Sequence, residues 1–289
     1  MNANHVALLR LATRAALGVA LTLALAKAIA WWLSGSVSLL AGLTDSLLDG
    51  AASFLNLLAV NYALRPADDD HRFGHGKAEA LAGLGQSLLI SLSAVLVAYQ
   101  ALQQLHTPEP IAAHALGIAV MIGSIALTFA LLVLQNHVVK ATGSTAIRAD
   151  SLHYRSDLLL NSSILLALVL SQFGFKQADG LFGLGISAYI LWSAYTIVRE
   201  ATAILMDQEP EHISRQVSAI ALKAANVMAV RDVRTRLSAG QYFVQLNILL
   251  PKEMSLKDAH DRCEWIELSI KKALVRAEVM VHAEPYDEP

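Results

Sequence analysis

The chain has one cysteine in 289 residues, Cys263, and so no internal disulfide and no paired-thiol metal or redox motif. Charge is scarce too. Asp, Glu, Lys and Arg make up 16% of the chain, against about a quarter in a soluble domain. The basic residues form no run, which argues against nucleic acid as a partner. Internal repeats and low-complexity tracts are also missing. What the chain has is apolar residue: 55% is hydrophobic and the mean hydropathy is +0.48, the balance of a membrane protein. The net charge of -2 adds little, because charge in such a protein matters by position.

A span of the hydrocarbon core takes about 20 mostly apolar residues in a helix. Six segments qualify, at 11–33, 37–64, 79–105, 112–138, 145–172 and 179–204, so residues 1–207 read as an all-α bundle of six membrane helices. "LALAKA" (Leu23–Ala28) resembles a signal-peptide cleavage site, but the apolar run resumes through "IAWWL" and reads as a retained first span. Turn residues break the spans at "SGS" (Ser34), "RPADDDHRFGHGK" (Arg65), "HTPEP" (His106), "KATGST" (Lys140) and "GFKQAD" (Gly174). Arg10 and Arg14 precede the first span, Arg65, Arg72 and Lys77 follow the second, and Lys140 and Arg148 follow the fourth. The opposite loops carry only Lys176. The positive-inside rule then places both termini in the cytoplasm, with Trp31 and Trp32 in an aromatic belt at the outer face. Lys27 and Asp179 lie toward span ends, where their charges reach water, and read as structural.

Residues 208–289 have a different composition. "EPEHISRQVSAIALKAA" is an amphipathic helix with proline at its start, and "VRDVRTRLSAGQYFVQLNILL" reads as two strands around an Ala239–Gly240 turn. "SLKDAHDRCEWIELSIKKAL" is a helix with Ser255 as its N-cap, and "AEVMVHAEP" a final strand. The α-β-β-α-β order predicts a small α+β sandwich with its helices on one sheet face.

Inside the second span, "LTDSLLDG" puts Asp45 and Asp49 four residues apart, on one helix face. A carboxylate at mid-membrane costs about 2.5 kcal/mol or more and marks a pathway or proton relay. The fifth span matches it: "DSLHYRSDLLLNSS" puts His153 and Asp157 four apart. Two helices, each with such a pair, can converge on one tetrahedral ion. Three carboxylates and an imidazole suit Zn²⁺ and related divalent ions, whereas Mg²⁺ and Ca²⁺ prefer oxygen alone. Isolated polar residues bonded to nearby Ser and Asn would explain one such pair better than two. A metal ligand must also be deprotonated, so protons compete for the site, and His153 is the natural proton carrier.

These residues carry a resemblance. "LTDSLLDGAASFLNLLAVNYALRPADDDHRFGHGKAEALAGLGQS" and "ADSLHYRSDLLLNSSILLAL" look like the cation diffusion facilitator family, in particular its bacterial zinc and ferrous-iron efflux branch of the YiiP type, over nearly the whole chain. The resemblance implies a homodimeric divalent-metal/proton antiporter of the bacterial inner membrane with a cytoplasmic ferredoxin-like domain, moving Zn²⁺ and, by the same chemistry, Cd²⁺, Fe²⁺ or Mn²⁺. It also implies that Asp45, Asp49, His153 and Asp157 form the transport site. A long His-rich loop between the fourth and fifth spans, present in some eukaryotic relatives, is missing here.

The resemblance further implies a peripheral metal at Asp68, His71 and His75, against the plainer reading of a solvated charged loop, and a salt bridge between Lys77 and Asp207 near the dimer interface. The "GK" at Gly76–Lys77 is no phosphate loop: the preceding glycine is missing and Ala78 replaces Ser/Thr, so no ATP site is expected. In the cytoplasmic domain, the positions matching the family's two-metal site keep His260, His282 and Glu284. However, Arg231 and Asn247 stand where histidines are expected. This set is expected to hold one metal weakly or none, with Arg231 pairing Glu284 in place of the metal's charge. Cys263, three residues after His260, reads as a small packed residue rather than a substitute ligand. A membrane metalloenzyme would keep a coordination position open for water, whereas four protein ligands fill the shell here, and the chain has no H-E-x-x-H. A membrane metal sensor would need an output module that the sequence does not suggest.

Overall fold

The computed structural model describes residues 3–34, 37–106, 115–173, 175, 177–238, 240–274 and 276–286. It divides into two compact units between Thr202 and Ala203. The larger consists of α1 (Ala3–Ser34), α2 (Val37–Ala63), α3 (Lys77–His106), α4 (Ala115–Thr142), α5 (Thr145–Gln172) and most of α6 (Ala178–Leu205). Among the described residues, five of these helices are long and apolar enough to cross a membrane. The exception, α5, is as long as its neighbours, 28 residues or about 42 Å. It carries Arg148, Asp150, His153, Arg155 and Asp157 in its first half. Its polarity is turned inward in part: Asp150 is 0% and Tyr154 2% exposed.

α1, α3, α6 and the C-terminal end of α4 run past the expected span limits because no breaker interrupts their backbone hydrogen bonds at the hydrocarbon boundary, whereas α2 and α5 stay within theirs. Arg10 and Arg14 therefore lie on α1 rather than before it. Lys140 and Arg148 likewise lie on the ends of α4 and α5 rather than in a loop, and Arg148 pairs with Glu200 of α6. The α4–α5 link is short and locally encoded. Gly143 takes a left-handed φ of 69° and donates to the Val139 carbonyl at 2.8 Å, closing α4. Ser144 then caps α5, its Oγ accepting from the Ile147 N–H at 3.1 Å. Lys176 and most of "HTPEP" lie outside the described residues.

Small residues set the closest helix approaches, as expected in lipid, where packing replaces the hydrophobic effect. A Cβ on Gly180 of α6 would lie 2.8 Å from the Ala101 carbonyl oxygen of α3, and one on Gly83 of α3 would lie 3.1 Å from the Thr145 oxygen of α5. That second contact brings α3 against the N-terminal end of α5.

The second unit contains α7 (Glu211–Ala221), β1 (Ala229–Ser238), β2 (Gln241–Leu250), α8 (Leu256–Ala273) and β3 (Ala277–Pro285). The sheet order is β1-β2-β3. β1 and β2 are antiparallel, and β2 and β3 are parallel, joined through α8. Val244, Leu246, Ile248 and Leu250 alternate along one face of β2 and pack with Ile213 and Val217 of α7 and Ile266 and Ile270 of α8. Ser255 caps α8 as expected, its Oγ accepting from the Asp258 N–H at 3.1 Å. The α-β-β-α-β order expected from the sequence is the order observed, and the fold is ferredoxin-like.

Candidate metal centre

In the membrane unit, α2 and α5 bring Asp49, His153 and Asp157 to one point, their ligand atoms within 4.8 Å of one another. His153 Nε2 lies 2.8 Å from Asp49 Oδ1 and 3.6 Å from Asp157 Oδ2, so a single ring nitrogen stands between carboxylates of two helices. Nε2 and Asp49 Oδ1 lie within hydrogen-bond distance, so ring and carboxylate form one contact between α5 and α2. The side chains are 21% (His153), 16% (Asp49) and 27% (Asp157) exposed, sheltered yet open to a small solute. Asp45 stands outside this group, on an exposed stretch of the same α2 face. Three of the four expected ligands are therefore gathered, and the fourth is one helical turn away.

Two further residues near this centre were not expected from sequence. Asp150, one turn before His153, is fully buried. Gln86 of α3 donates to its Oδ1 at 3.0 Å and Gln135 of α4 to its Oδ2 at 2.6 Å, so one carboxylate ties three helices together. The signal was available: glutamine in two apolar spans and a further acid beside His153. Lys27, read as structural from its place near a span end, instead turns inward and donates to Ser46 of α2 at 2.7 Å. Tyr154 completes the interior polar set. Its hydroxyl donates to the Ala16 carbonyl at 3.1 Å and bonds Ser53 at 2.8 Å, joining α5 to α1 and α2.

The loop between α2 and α3 forms the second cluster, Asp68, His71 and His75. The Asp68 carboxylate accepts from the His71 backbone N–H at 2.7 Å, and its two oxygens lie 3.2 Å from His71 Nδ1 and 3.3 Å from His75 Nε2. The His71 N–H, helped by the two rings, holds the Asp68 carboxyl below the usual carboxylate range. Gly74 permits the fold-back with a φ of 77°. His75 is buried, stacked edge-on against Tyr62 at 4.6 Å, and its Nδ1 has no hydrogen-bond partner. The residues present suit a divalent ion: two imidazoles and an ionised carboxylate.

The cytoplasmic set is not assembled in this way. His282 and Glu284 lie on the face of β3 opposite its helix-facing residues Val279, Val281 and Ala283, whereas His260 lies on α8 across the sheet. His260 instead lines a groove of about 420 Å³ with Cys263, Glu264 and Glu267. The three expected ligands therefore do not converge within one chain. The expected Arg231–Glu284 pair is also not formed. Asn247, opposite Arg231 in the β1–β2 register, donates to Glu284 at 2.8 Å and to Asp232 at 3.4 Å. The bulge between Arg231 and Arg234, with Asp232 at a left-handed φ of 49°, turns Asp232 toward that amide. Asp207 accepts from Arg236 at 3.4 Å within the cytoplasmic unit, while Lys77 opens α3 in the membrane unit.

Burial, reinforced by the Glu267 carboxylate, pushes the Cys263 thiol above its usual range. The raised value keeps the sulfur protonated at neutral pH, because the thiolate appears only as pH rises through it. Alkylation of native Cys263 by iodoacetamide at pH 7.5 is therefore expected to be at least about tenfold slower than in the urea-unfolded chain. Equal rates would show a thiolate available for metal binding.

A bundle of apolar helices that aims carboxylates and an imidazole at one interior point, joined to a small α+β unit, defines a membrane protein that handles divalent metal. The comparisons with known proteins agree. Residues 13–206 match the cation efflux transmembrane domain, and residues 194–286 match the cytoplasmic domain of cation efflux proteins. The chain is 44% identical over 277 residues to the cation-efflux pump FieF of Shewanella oneidensis, covering 96% of this chain and 94% of that one. It is 42% identical over 286 residues to the protein of the same name in Yersinia pestis, covering 99% and 95%. A nickel form of a MamM C-terminal domain variant covers 27% of this chain and 99% of its own, at 22% identity and a TM-score of 0.26. The chain belongs to the cation efflux family.

Proposed function

We propose that this protein exports a divalent metal ion, Zn²⁺ first among Cd²⁺, Fe²⁺ and Mn²⁺, from the cytoplasm in exchange for protons. The observation that carries this is the position of His153 Nε2 between Asp49 and Asp157. A proton on Nε2 would take the lone pair that a metal bound by the same three residues needs. Proton and metal then exclude one another at one point, which is what exchange requires. Loss of the proton to the cytoplasm frees Nε2 and its carboxylates to take the ion, with Asp45 closing the shell from the next turn of α2. Because the ligands come from two helices, rocking of α2 against α5 exposes the loaded site to the outer face by alternating access. Protonation there releases the ion.

The protein works as a homodimer in the bacterial inner membrane with both termini in the cytoplasm; the match to the cytoplasmic dimerisation domain supports the first and the Lys/Arg distribution the last. Asp68, His71 and His75 would hold a second, peripheral ion at the cytoplasmic side, serving delivery or regulation. His260, His282 and Glu284, not converging within one chain, hold metal weakly or not at all.

The test is Zn²⁺ uptake into inside-out proteoliposomes with an acidic interior. Uptake is expected to follow the imposed gradient and to alkalinise the lumen as it proceeds. Uptake indifferent to the gradient, with no change in lumenal pH, rules out exchange.

A further inference from the structure

We propose that Lys27 is a resident cation of the transport site, a charge against which the metal must bind and which sets how readily it leaves; this rests on the transport-site reading above. On α2, Gly42, Asp45, Ser46 and Asp49 fall at i, i+3, i+4 and i+7, a single stripe on one helix face. Lys27 of α1 reaches that stripe. Its Cδ, Cε and Nζ lie 3.7, 3.8 and 3.9 Å from where a Cβ on Gly42 would stand, so the stem runs along α2 at the glycine. Its Nζ donates to Ser46 Oγ at 2.7 Å, beside Asp45. Lysine near a helix end ordinarily snorkels outward to water. Lys27 does the opposite, spending its contact on a neutral hydroxyl next to the site's carboxylates.

The arrangement accounts for two features together. Asp45 is the one expected ligand that stands apart from Asp49, His153 and Asp157, and it adjoins Ser46, the residue the ammonium binds. Among the described residues of α1 and α2 between the Trp31–Trp32 pair and Arg14, Lys27 is the one cation, so its field falls on the acids of α2 with little competition. In the metal-free protein, Lys27 balances Asp45. A divalent ion entering at His153 draws Asp45 into its shell and must do so against that positive charge. Weakened binding favours release, which a transporter needs as much as capture.

The experiment titrates the full-length protein in nanodiscs with Zn²⁺, in a D68A/H75A background so that the loop cluster is silent. K27M is expected to bind Zn²⁺ about tenfold more tightly. In proteoliposomes its KM falls along with its maximal rate, because release becomes slow. K27R keeps the charge and stays within about threefold of the parent in all three quantities. S46A removes the hydrogen bond but not the charge and also keeps the parent affinity. Unchanged or weaker binding by K27M overturns the proposal, as does an S46A protein that reproduces K27M, which would assign the effect to helix contact. D49A in the same background separates the two readings. If it leaves Zn²⁺ binding intact, the transport-site reading itself fails, whatever Lys27 does.

Discussion

Asp157→Asn reduces Zn²⁺ transport by at least about 100-fold in proteoliposomes while the protein still elutes as a folded species. The change is isosteric and removes only the charge and a ligating oxygen. Because the side chain is part exposed, no buried charge is left stranded. The loss exceeds the roughly 10–100-fold that follows removal of a group supporting a metal ligand, because here a ligand itself goes. His153 keeps its bond to Asp49, so the helices retain their contact and the effect lies in ion binding. A rate within about threefold of wild type would remove Asp157 from the site. The reading would then have to be rebuilt on Asp45, Asp49 and His153.

The second large effect falls on folding. Asp150→Ala is expected to abolish recovery of folded protein, or to lower the melting temperature of the solubilised protein by more than about 10 °C. The substitution leaves the buried amides of Gln86 and Gln135 without the carboxylate that accepts from both. Each unpaired buried donor costs about 1–3 kcal/mol, and two of them approach the whole stability of a marginal fold. If this is the mechanism, the fault lies in the orphaned amides and not in the missing acid. A triple variant, D150L/Q86L/Q135L, should therefore recover much of the lost stability, since removing all the partners of a buried network costs far less than removing one. A D150A protein as stable as wild type would show that the three helices are held elsewhere, for instance by the Gly83 and Gly180 contacts.

Part of this architecture was legible because the signals are local. The placing of the long helices follows from apolar runs, and Ser255 caps α8 because a serine followed three residues later by an acid needs only its own turn. The pairing of Asp45 with Asp49 and of His153 with Asp157 needs only the 3.6-residue period. Where the reading missed, the deciding contact was remote. Asp150 stands one turn before His153 in the sequence, but its role depends on glutamines 64 and 15 residues away. Lys27 was read by its distance from a helix end, which says nothing of the side it faces. His260 and Glu284 were grouped by resemblance, and strand alternation sets them on opposite faces of the sheet.

The sequence by itself determined where the long helices lie, the order of elements in the cytoplasmic unit, and which residues share a helix face. These are properties of chain length, apolar period and capping, and each is settled within a few turns of backbone. Only the tertiary structure decided that Asp49 meets His153 while Asp45 does not, that Lys27 turns inward, and that Asp150 joins α3, α4 and α5. Helical spacing fixes the angle at which a side chain leaves its own axis. Which neighbour it meets depends on how the helices pack, and that is set by close approaches such as Gly83 against Thr145, between residues distant in sequence.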